Sequence, residues 1–276
     1  MKKELSRIIE KLGRDSGKDL SLFDMSFLEK TVENRMAALA LGGSSAYLRY
    51  IAENPGEITA FVQSLEVTFS EFFRDPLAVA LLAQLVLPRL LEDKSIRGEI
   101  RVWSAGCAAG QETYSLAMQL DDLAARWGAP CSWRIFGTDA SDDELARARE
   151  GVYDVSAVQN VPLKFIRHYF QVKGDRCSVV HHLRDRLTFS RYDLLDRNST
   201  SPPESIYGNF DLVLCSNLLF YYRPGVQRFI LAKLRRVIVP GGYLVTGEAE
   251  RAIVEKMGGF QMVAVPAGVF RKTDTG

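Results

Sequence analysis

From about residue 100 onward the chain alternates short apolar segments with helix-forming ones, and no other feature constrains the fold as strongly. Such alternation is the pattern of a parallel sheet covered by helices on both faces. The candidate strands are Ile100 to Trp103, Trp133 to Gly137, Leu187 to Ser190, Phe210 to Cys215, Tyr243 to Thr246, Met262 to Val265 and Gly268 to Arg271. The sequence therefore predicts an α/β fold with a doubly wound, Rossmann-like sheet.

The last two candidate strands are joined by only Pro266 and Ala267. This connection is too short for a crossover helix, so the two strands should form an antiparallel hairpin at one edge of the sheet. By analogy between folds, such an edge is typical of S-adenosylmethionine methyltransferases and not of dinucleotide dehydrogenases.

The N-terminal region has a helical pattern. Leu28, Val32, Met36 and Leu39 recur at three- and four-residue intervals, which places them on one helical face. The sequence therefore predicts a small all-α domain at residues 1–65.

The remaining chain divides into a linker with a first helix at residues 66–99 and the sheet domain at residues 100–276. Two β-prone runs on either side of a Lys173-Gly174-Asp175 turn interrupt the α/β rhythm. They predict a small β subdomain at about residues 168–190.

Composition argues against several kinds of partner. The 276 residues include 35 basic and 34 acidic side chains, so no nucleic acid partner is expected. The longest apolar run, Leu77 to Leu87, is shorter than the ~20 residues of a membrane span and is interpreted as a buried helix. No membrane insertion is expected, and without a secretory pattern at the N-terminus the expected location is cytoplasmic. Four cysteines and three histidines lack zinc-type spacing, so no metal is expected.

The strongest local motif is a glycine-containing loop between a strand and a helix. Val102 to Ala105 is apolar, Gly106 and Gly110 lie four residues apart, and a helical pattern runs from about Glu112 to Leu123. Glycine lets a ligand approach the backbone, and the helix N-terminus offers free N–H groups. The loop indicates a nucleotide-like cofactor, although small residues also occur in such turns only to pack a helix on a strand.

Two further strand ends carry polar residues. Asp139 ends the second candidate strand, where a carboxylate can accept both ribose hydroxyls, although Asp139 or Ser141 could instead cap the next helix. Ser216 and Asn217 follow the strand Phe210 to Cys215. Because no proline follows Asn217, methylation of base amines is disfavoured. The aromatic residues 220–222 fit either a site or ordinary packing.

Six ordered motifs resemble the chemotaxis protein methyltransferase (CheR-type) family over roughly residues 20 to 272. They are Thr68-Phe69-Ser70-Glu71-Phe72-Phe73-Arg74-Asp75, Arg101-Val102-Trp103-Ser104-Ala105-Gly106-Cys107, Glu112-Thr113-Tyr114-Ser115-Leu116-Ala117-Met118, Thr138-Asp139, Cys215-Ser216-Asn217 with Tyr221, and Pro240-Gly241-Gly242 through Gly247 and Glu250.

The resemblance implies a role for each matching residue. Arg74 and Tyr221 are implied to act at the reaction centre, Glu112 to hold the methionine amine of the cofactor, and Asp139 to hold its ribose. The full set of implied cofactor-binding residues is Thr68, Ser70, Arg74, Gly106, Gly110, Glu112, Asp139, Asp193, Leu194, Ser216 and Asn217. Ser216 departs from the family pattern, which usually has an arginine there.

The activity implied by the resemblance is transfer of a methyl group from S-adenosylmethionine to glutamate side chains of chemoreceptors. The products are glutamate methyl esters for sensory adaptation and S-adenosylhomocysteine. A glutamate carboxylate has a reference pKa near ~4.3 and needs no general base at neutral pH, which fits the lack of a histidine dyad. The expected partners are chemoreceptor cytoplasmic domains, and the expected state is a monomer.

Two alternatives stay open at this point. One is a methyltransferase for another acceptor, against which the Phe72-Phe73-Arg74 segment argues. The other is a signalling module that binds S-adenosylmethionine without turnover, which Ser216 favours. A nicotinamide dehydrogenase is less compatible, since the crevice segments lack an obvious proton-transfer histidine.

Overall fold

The structure is a computed structural model that describes residues 2–66, 70–94, 98–127, 131–205 and 208–273. The helices are α1 Lys2–Ser16, α2 Met25–Ala38, α3 Ser44–Glu53, α4 Gly56–Ser64, α5 Pro76–Leu81, α6 Leu87–Lys94, α7 Gln111–Trp127, α8 Asp142–Glu150, α9 Leu163–Tyr169, α10 His181–Arg184, α11 Pro224–Val237 and α12 Arg251–Met257. Short 3-10 turns occur at Leu20–Leu22, Val155–Val158, Leu219–Tyr221 and Glu248–Glu250.

The strands are β1 Ile100–Ala105, β2 Trp133–Asp139, β3 Val152–Asp154, β4 Phe170–Lys173, β5 Arg176–Val179, β6 Leu187–Arg191, β7 Phe210–Leu214, β8 Ile238–Val245, β9 Phe260–Met262 and β10 Val269–Lys272. Within the described residues they form a large sheet and a small one. Contacts divide the chain into a first unit, residues 1–67 with 220–227, and a second unit, residues 68–219 with 228–276.

The large sheet belongs to the second unit and has the strand order β6-β2-β1-β7-β8-β10-β9. The pairs from β6 to β8 are parallel, whereas β10 pairs antiparallel with both β8 and β9. The predicted doubly wound sheet with an antiparallel edge hairpin is therefore confirmed. The two-residue connection predicted for the hairpin is wrong: β9 ends at Met262 and β10 begins at Val269, so residues 263–268 join them. Its central strands read as continuous apolar runs because helices cover both faces: every residue of β7 is buried.

The strand β8 begins at Ile238, five positions earlier than the sequence suggests. Pro240, Gly241 and Gly242 have the composition of a turn, yet they continue the strand through an irregular register opposite Phe210 and Leu212. A β-bulge of this kind lets a strand absorb residues that would otherwise end it. A Cβ on Gly242 would lie 3.0 Å from the carbonyl oxygen of Asp211, so this close approach requires glycine.

The small sheet has the order β3-β5-β4 and is antiparallel throughout. Gly174, with φ of 63°, makes the tight turn between β4 and β5 that the sequence predicts. The β structure extends further toward the N-terminus than residues 168–190, because β3 at Val152–Asp154 is its third strand. Residues Leu187–Arg191 instead join the large sheet as β6.

The apolar run Leu77 to Leu87 is helical, as predicted, but it is not one regular helix. A π-helical segment, Leu82–Val86, separates α5 from α6. Pro88 has no N–H to donate to the preceding turn, and a widened turn immediately before a proline accommodates this loss. Leu77 and Leu85 are 42% and 40% exposed, so one face of the segment meets solvent. Among the described helices, none combines the length and apolarity that crossing a membrane requires.

The first unit is a helical bundle with its own core. The buried side chains come from α1 to α4 and their connections, namely Ile8, Leu12, Leu20, Leu28, Val32, Tyr47, Ile51, Phe61 and Leu65. Leu28 and Val32 are each 1% exposed, which confirms the predicted helical face.

A returning segment, residues 220–227, completes the first unit. The amide of Asp24 donates to the carbonyl oxygen of Tyr221 at 2.8 Å, and the amide of Arg223 donates to Leu22 at 3.1 Å. The ring of Tyr221 lies 4.8 Å from that of Phe27, centroid to centroid. These contacts tie α2 to a segment nearly two hundred residues away in sequence.

A buried ion pair links three helices of the first unit. The Arg35 guanidinium donates to both oxygens of Glu57, at 2.8 and 2.6 Å, and the Tyr47 hydroxyl donates to Glu57 at 2.7 Å. Burial alone would raise the pKa of Glu57, but these donors outweigh it and the pKa lies below its ordinary value. Glu57 is 4% exposed, so its loss would leave buried donors without an acceptor.

We expect Glu57→Gln to lower the free energy of unfolding by about 1–3 kcal/mol at pH 7, because charge-assisted hydrogen bonds to a buried carboxylate are lost. The folded-state pKa of Glu57 is depressed, so its contribution is present above the unfolded value near ~4.3 and is lost as the pH falls through the folded value. Urea denaturation at several pH values measures both effects. Glu53→Gln, an exposed change on α3, is the control. A loss of stability that is equally large at acid pH would contradict this account.

Candidate active site

Five neighbouring parallel strands end at one edge of the large sheet. In the order β6, β2, β1, β7 and β8, their carboxyl ends lead into residues 192–194, 139–141, 106–110, 216–219 and 246–250. In open α/β sheets a ligand crevice lies outside the carboxyl ends of the strands. All the sequence-predicted residues of the cofactor site except Thr68, Ser70, Arg74 and Glu112 lie on these connections.

The glycine loop after β1 has an unusual backbone. Gly106, Ala108 and Gly110 have φ values of 70°, 45° and 89°. The amides of Gly106 and Cys107 both donate to the carbonyl oxygen of Thr138, which ties the loop to the end of β2. A Cβ on Gly106 would lie 2.6 Å from a methyl carbon of Leu218, so glycine lets the connections after β1 and β7 approach each other.

Asp139 fixes this loop from the end of β2. One of its oxygens accepts the amide of Ala108 at 2.9 Å, and the other accepts the amide of Ser141 at 3.0 Å. Ser141 is the residue that caps α8, through a bond from the amide of Glu144. Each Asp139 oxygen retains a lone pair for a further donor, so the carboxylate can hold a diol while it orders the loop.

The linker before α5 is held in a specific conformation. Phe73 has φ of 54°, and its amide donates to Ser115 Oγ on α7 at 3.0 Å. Its ring stacks on Phe165 with the centroids 5.4 Å apart, while the ring of Phe72 is fully buried in the core. Asp75 then caps α5 by accepting the amides of Leu77 and Ala78. Arg74 lies between these anchored residues.

A cavity in the second unit brings several predicted residues together. Arg74, Glu112, Ser216 and Asn217 all line it. The other lining residues are Phe73, Asp75, Ala78, Val79, Leu82, Ser115, Leu116, Gln119, Leu214, Val245, Thr246 and Gly247. The walls are thus mainly apolar, with a few polar groups of both signs, as is usual for small-molecule sites.

Glu112 is the titratable group of this cavity whose pKa is most altered. Burial raises the pKa of Glu112 to about 7; Arg74 lowers it, and Glu250 and Asp75 raise it. Within the described residues, Glu112 has no hydrogen-bond or ion-pair partner. A half-buried carboxyl in this situation is suited to a cationic ligand group.

Other predicted residues lie elsewhere. Asp193 is exposed and accepts the amide of Leu195, while Leu194 is buried in the loop after β6. Tyr221 belongs to the first unit. Thr68 lies outside the described residues, and the Ser70 hydroxyl is buried without a hydrogen-bond partner in the described part of the chain.

Two buried polar residues of the cavity were not predicted from the sequence. Gln119 and Thr246 are 5% and 1% exposed, and among the described residues neither Gln119 Oε1 nor Thr246 Oγ1 has a hydrogen-bond partner. Gln119 lies two turns after Glu112 on α7, so helical spacing from Glu112 could have identified it. The position of Thr246 directly after β8 is an equivalent signal, since strand ends carry the other site residues.

These features fit S-adenosylmethionine. The partnerless Glu112 carboxyl, which lines the cavity, can receive its methionine amine. Asp139 and Gly106 are not among the lining residues, but the Asp139 carboxylate retains lone pairs that can receive the ribose hydroxyls. Buried polar atoms without partners, on Gln119 and Thr246, are further signs of a polar ligand in this cavity. Together with the antiparallel sheet edge, they define an S-adenosylmethionine-dependent methyltransferase.

Comparison with known proteins assigns the family. Residues 68–269 match the family model described as CheR methyltransferase, SAM binding domain. Chemotaxis protein methyltransferase 1 of Pseudomonas aeruginosa is 33% identical, covering 75% of this chain and 74% of its own length. The Escherichia coli K12 chemotaxis protein methyltransferase is 31% identical over 78% of this chain and 73% of its own. This chain belongs to the CheR methyltransferase family.

A further relative is much longer. An uncharacterised 104.1 kDa protein of Rhodobacter capsulatus is 28% identical over 94% of this chain, and the match covers 26% of that protein. This chain therefore spans about a quarter of the length of that relative.

We expect Glu112→Gln to stabilise the cofactor-free protein at pH 8 by on the order of 1–3 kcal/mol, since each pKa unit corresponds to ~1.4 kcal/mol and partial exposure reduces the full shift. The folded-state pKa, about 7, exceeds the unfolded value, so ionisation penalises the folded wild type. This penalty grows as the pH rises from about 4.5 to about 7 and is then constant. Urea denaturation at pH 5.5 and pH 8 tests the prediction. A difference independent of pH would refute the assignment of this titration to Glu112.

Proposed function

We propose that the protein methylates glutamate side chains in the cytoplasmic domains of chemoreceptors, with S-adenosylmethionine as the methyl donor. The observation that carries the proposal is the cavity that combines Arg74 with the partnerless carboxyl of Glu112. The names of the chemotaxis relatives support the receptor as partner. We further propose that the protein acts in the cytoplasm as a monomer.

Arg74 is proposed to attract and orient the acceptor carboxylate. A guanidinium offers paired donors that match a carboxylate in geometry and charge. The fixed conformation of Phe73 and the cap formed by Asp75 restrict the backbone on either side of Arg74. Such restriction lowers the entropic cost of aligning two reactants.

No residue needs to act as a general base in this reaction. S-Adenosylmethionine, when bound, supplies a methyl group activated by its sulfonium charge. The acceptor glutamate is already ionised at neutral pH. The residues of the chain therefore have to hold the reactants in line and exclude water from an anion that meets a cation. The apolar walls formed by Val79, Leu82, Leu116 and Val245 serve the second purpose.

Tyr221 and Ser216 complete the proposed assignment. The family resemblance implies that Tyr221 lies close to the transferred methyl group, and we propose that its hydroxyl donates a hydrogen bond to the second oxygen of the acceptor. Ser216 lines the cavity at a position where the family usually has an arginine. Arg74 and Glu112 are therefore proposed to supply a larger share of the charge in this cavity than in typical members. Asp193 and Leu194 are proposed to lie beside the adenine, and Thr68 and Ser70 to close over the cofactor.

The acceptor is tested by incubating the protein with methyl-labelled S-adenosylmethionine and receptor cytoplasmic fragments. We expect base-labile label on glutamate residues, as methyl esters require. Arg74→Ala should lower turnover on the order of 100-fold and change affinity for S-adenosylhomocysteine only slightly, because Arg74 is assigned to the acceptor.

Arg134→Ala, an exposed change on β2, is the control for loss of a positive charge. Tight binding of S-adenosylhomocysteine without any label would support the non-catalytic signalling alternative. Lost cofactor affinity with normal turnover in the Arg74 variant would contradict the role given to Arg74.

The cofactor site is tested by the pH dependence of S-adenosylhomocysteine binding. The ammonium of the ligand favours ionised Glu112, so the affinity should rise as the pH increases through about 7 and then level off. Glu112→Gln should weaken binding by roughly tenfold or more and abolish this rise, because a charge-assisted hydrogen bond is lost.

Isothermal titration calorimetry between pH 5.5 and pH 8 measures both quantities. Glu150→Gln, an exposed change at the end of α8, serves as the matched control. If the Glu112 variant keeps the wild-type pH profile, another group holds the amine.

A further inference from the structure

The carboxylate of Glu250 accepts four backbone hydrogen bonds. Its Oε1 accepts the amides of Leu218 and Leu219 at 2.7 and 2.5 Å, and its Oε2 accepts the amides of Asn217 and Gly247 at 2.8 and 2.9 Å. Glu250 is fully buried. All four donors lie on the connections that follow the neighbouring strands β7 and β8.

Three of these amides are consecutive and point at one carboxylate. Asn217 has φ of 59°, in the left-handed region, and such a residue within a turn directs successive N–H groups into a common concavity. Concavities of this kind bind anions. In this protein the anion is a side chain of the chain itself, so the loop 216–219 is ordered without a ligand.

The ionised carboxylate is costly at this position. Burial raises the pKa of Glu250 above its usual value, although the four amides counteract the rise. Removing one oxygen as an acceptor would leave two buried N–H groups unsatisfied, which is among the more expensive changes a protein core can undergo.

The loop ordered by Glu250 carries residues of the cofactor cavity. The cavity is lined by Ser216 and Asn217 from the connection after β7 and by Thr246 and Gly247 from the connection after β8. A Cβ on Gly247 would lie 2.8 Å from Asn217 Oδ1, so the Asn217 side chain packs directly over the Gly247 backbone. The amide hydrogen bonds of Glu250 therefore set the position of a polar group at the wall of the cavity.

We propose that Glu250 is a positioning residue for cofactor binding, which acts by holding the 216–219 and 246–247 connections together so that Asn217 faces the cavity. The inference rests on the proposed cofactor site but not on the identity of the methyl acceptor. Glu250 does not contact the reacting atoms in this role.

The test is Glu250→Gln in the full-length protein, with affinity for S-adenosylhomocysteine measured by calorimetry. The amide presents an NH₂ group to two backbone N–H donors, and the loop must move. We expect roughly a tenfold or larger loss of affinity, because loss of one hydrogen bond to the ligand from the displaced loop is an effect of about this size. Faster hydrogen exchange in the peptides that contain residues 216–219 and 247 should accompany it.

A matched variant distinguishes a positioning role of Glu250 from a contribution to stability alone. Glu57→Gln also removes a buried carboxylate acceptor, but in the first unit, and it is expected to lose stability with no change in this affinity. Wild-type affinity and unchanged exchange in Glu250→Gln would overturn the proposal. A failure to label receptors would overturn the proposed acceptor and would leave this binding result unaffected.

If Glu250→Gln does not fold, Gly247→Ala provides a second test of the proposal. The backbone of Gly247, at φ of −65° and ψ of 151°, accepts alanine without strain, whereas the added methyl group must displace the Asn217 side chain. We expect reduced affinity for S-adenosylhomocysteine with a thermal unfolding midpoint close to that of the wild type. Wild-type affinity in this variant would overturn the proposal, because the position of Asn217 would then not matter.

Discussion

The site depends on one constraint, the shared direction of five neighbouring strands. Because β6, β2, β1, β7 and β8 are parallel, every one of their following connections starts at the same sheet edge. The connections after β1 and β7 also turn sharply, with positive φ values at residues 106, 108, 110 and 217. Such turns direct backbone N–H groups outward or toward a carboxylate, and Asp139 and Glu250 receive them. The parallel strands thus place the connections at one edge of the sheet, and Asp139 and Glu250 fix the conformation of these connections by accepting their backbone amides.

These two acids differ in what remains available to a ligand. Asp139 accepts one amide on each oxygen and is partly exposed, so it can order its loop and still receive further donors. Glu250 accepts two amides on each oxygen and is fully buried, so its acceptor capacity is used within the protein. Glu112 is the opposite case: no described residue donates to it, and burial raises its pKa. The site therefore keeps one carboxyl unsatisfied at a cost in stability, which a cationic ligand group can recover.

Much of the fold could be predicted because it depends on local patterns. The strands β1, β2 and β6 follow from apolar runs. The edge hairpin was expected because the last two candidate strands are close in sequence, although six residues, 263–268, join them and not two. The early start of β8 could not be predicted, because Pro240, Gly241 and Gly242 have turn composition and continue the strand only through a bulge opposite β7. The π-helical segment at Leu82–Val86 was likewise hidden in a uniformly apolar run. The start of β8 depends on its pairing with β7, and the π-helical segment is an irregularity of the backbone that a uniformly apolar sequence does not indicate.

The candidate site likewise contains some residues that the sequence identifies and others that it does not. The glycine loop and Asp139 are visible in sequence because their residue types carry the chemistry, and the structure brings Arg74, Glu112, Ser216 and Asn217 to one cavity. The role of Glu250 is not visible, since a glutamate after a strand is more often an exposed residue or a helix cap than an internal ligand for backbone amides. Its four donors lie in two segments separated by some thirty residues, and only the adjacency of β7 and β8 brings these segments together. Sequence reasoning therefore finds groups that contact a ligand more readily than groups that hold those contacts in place.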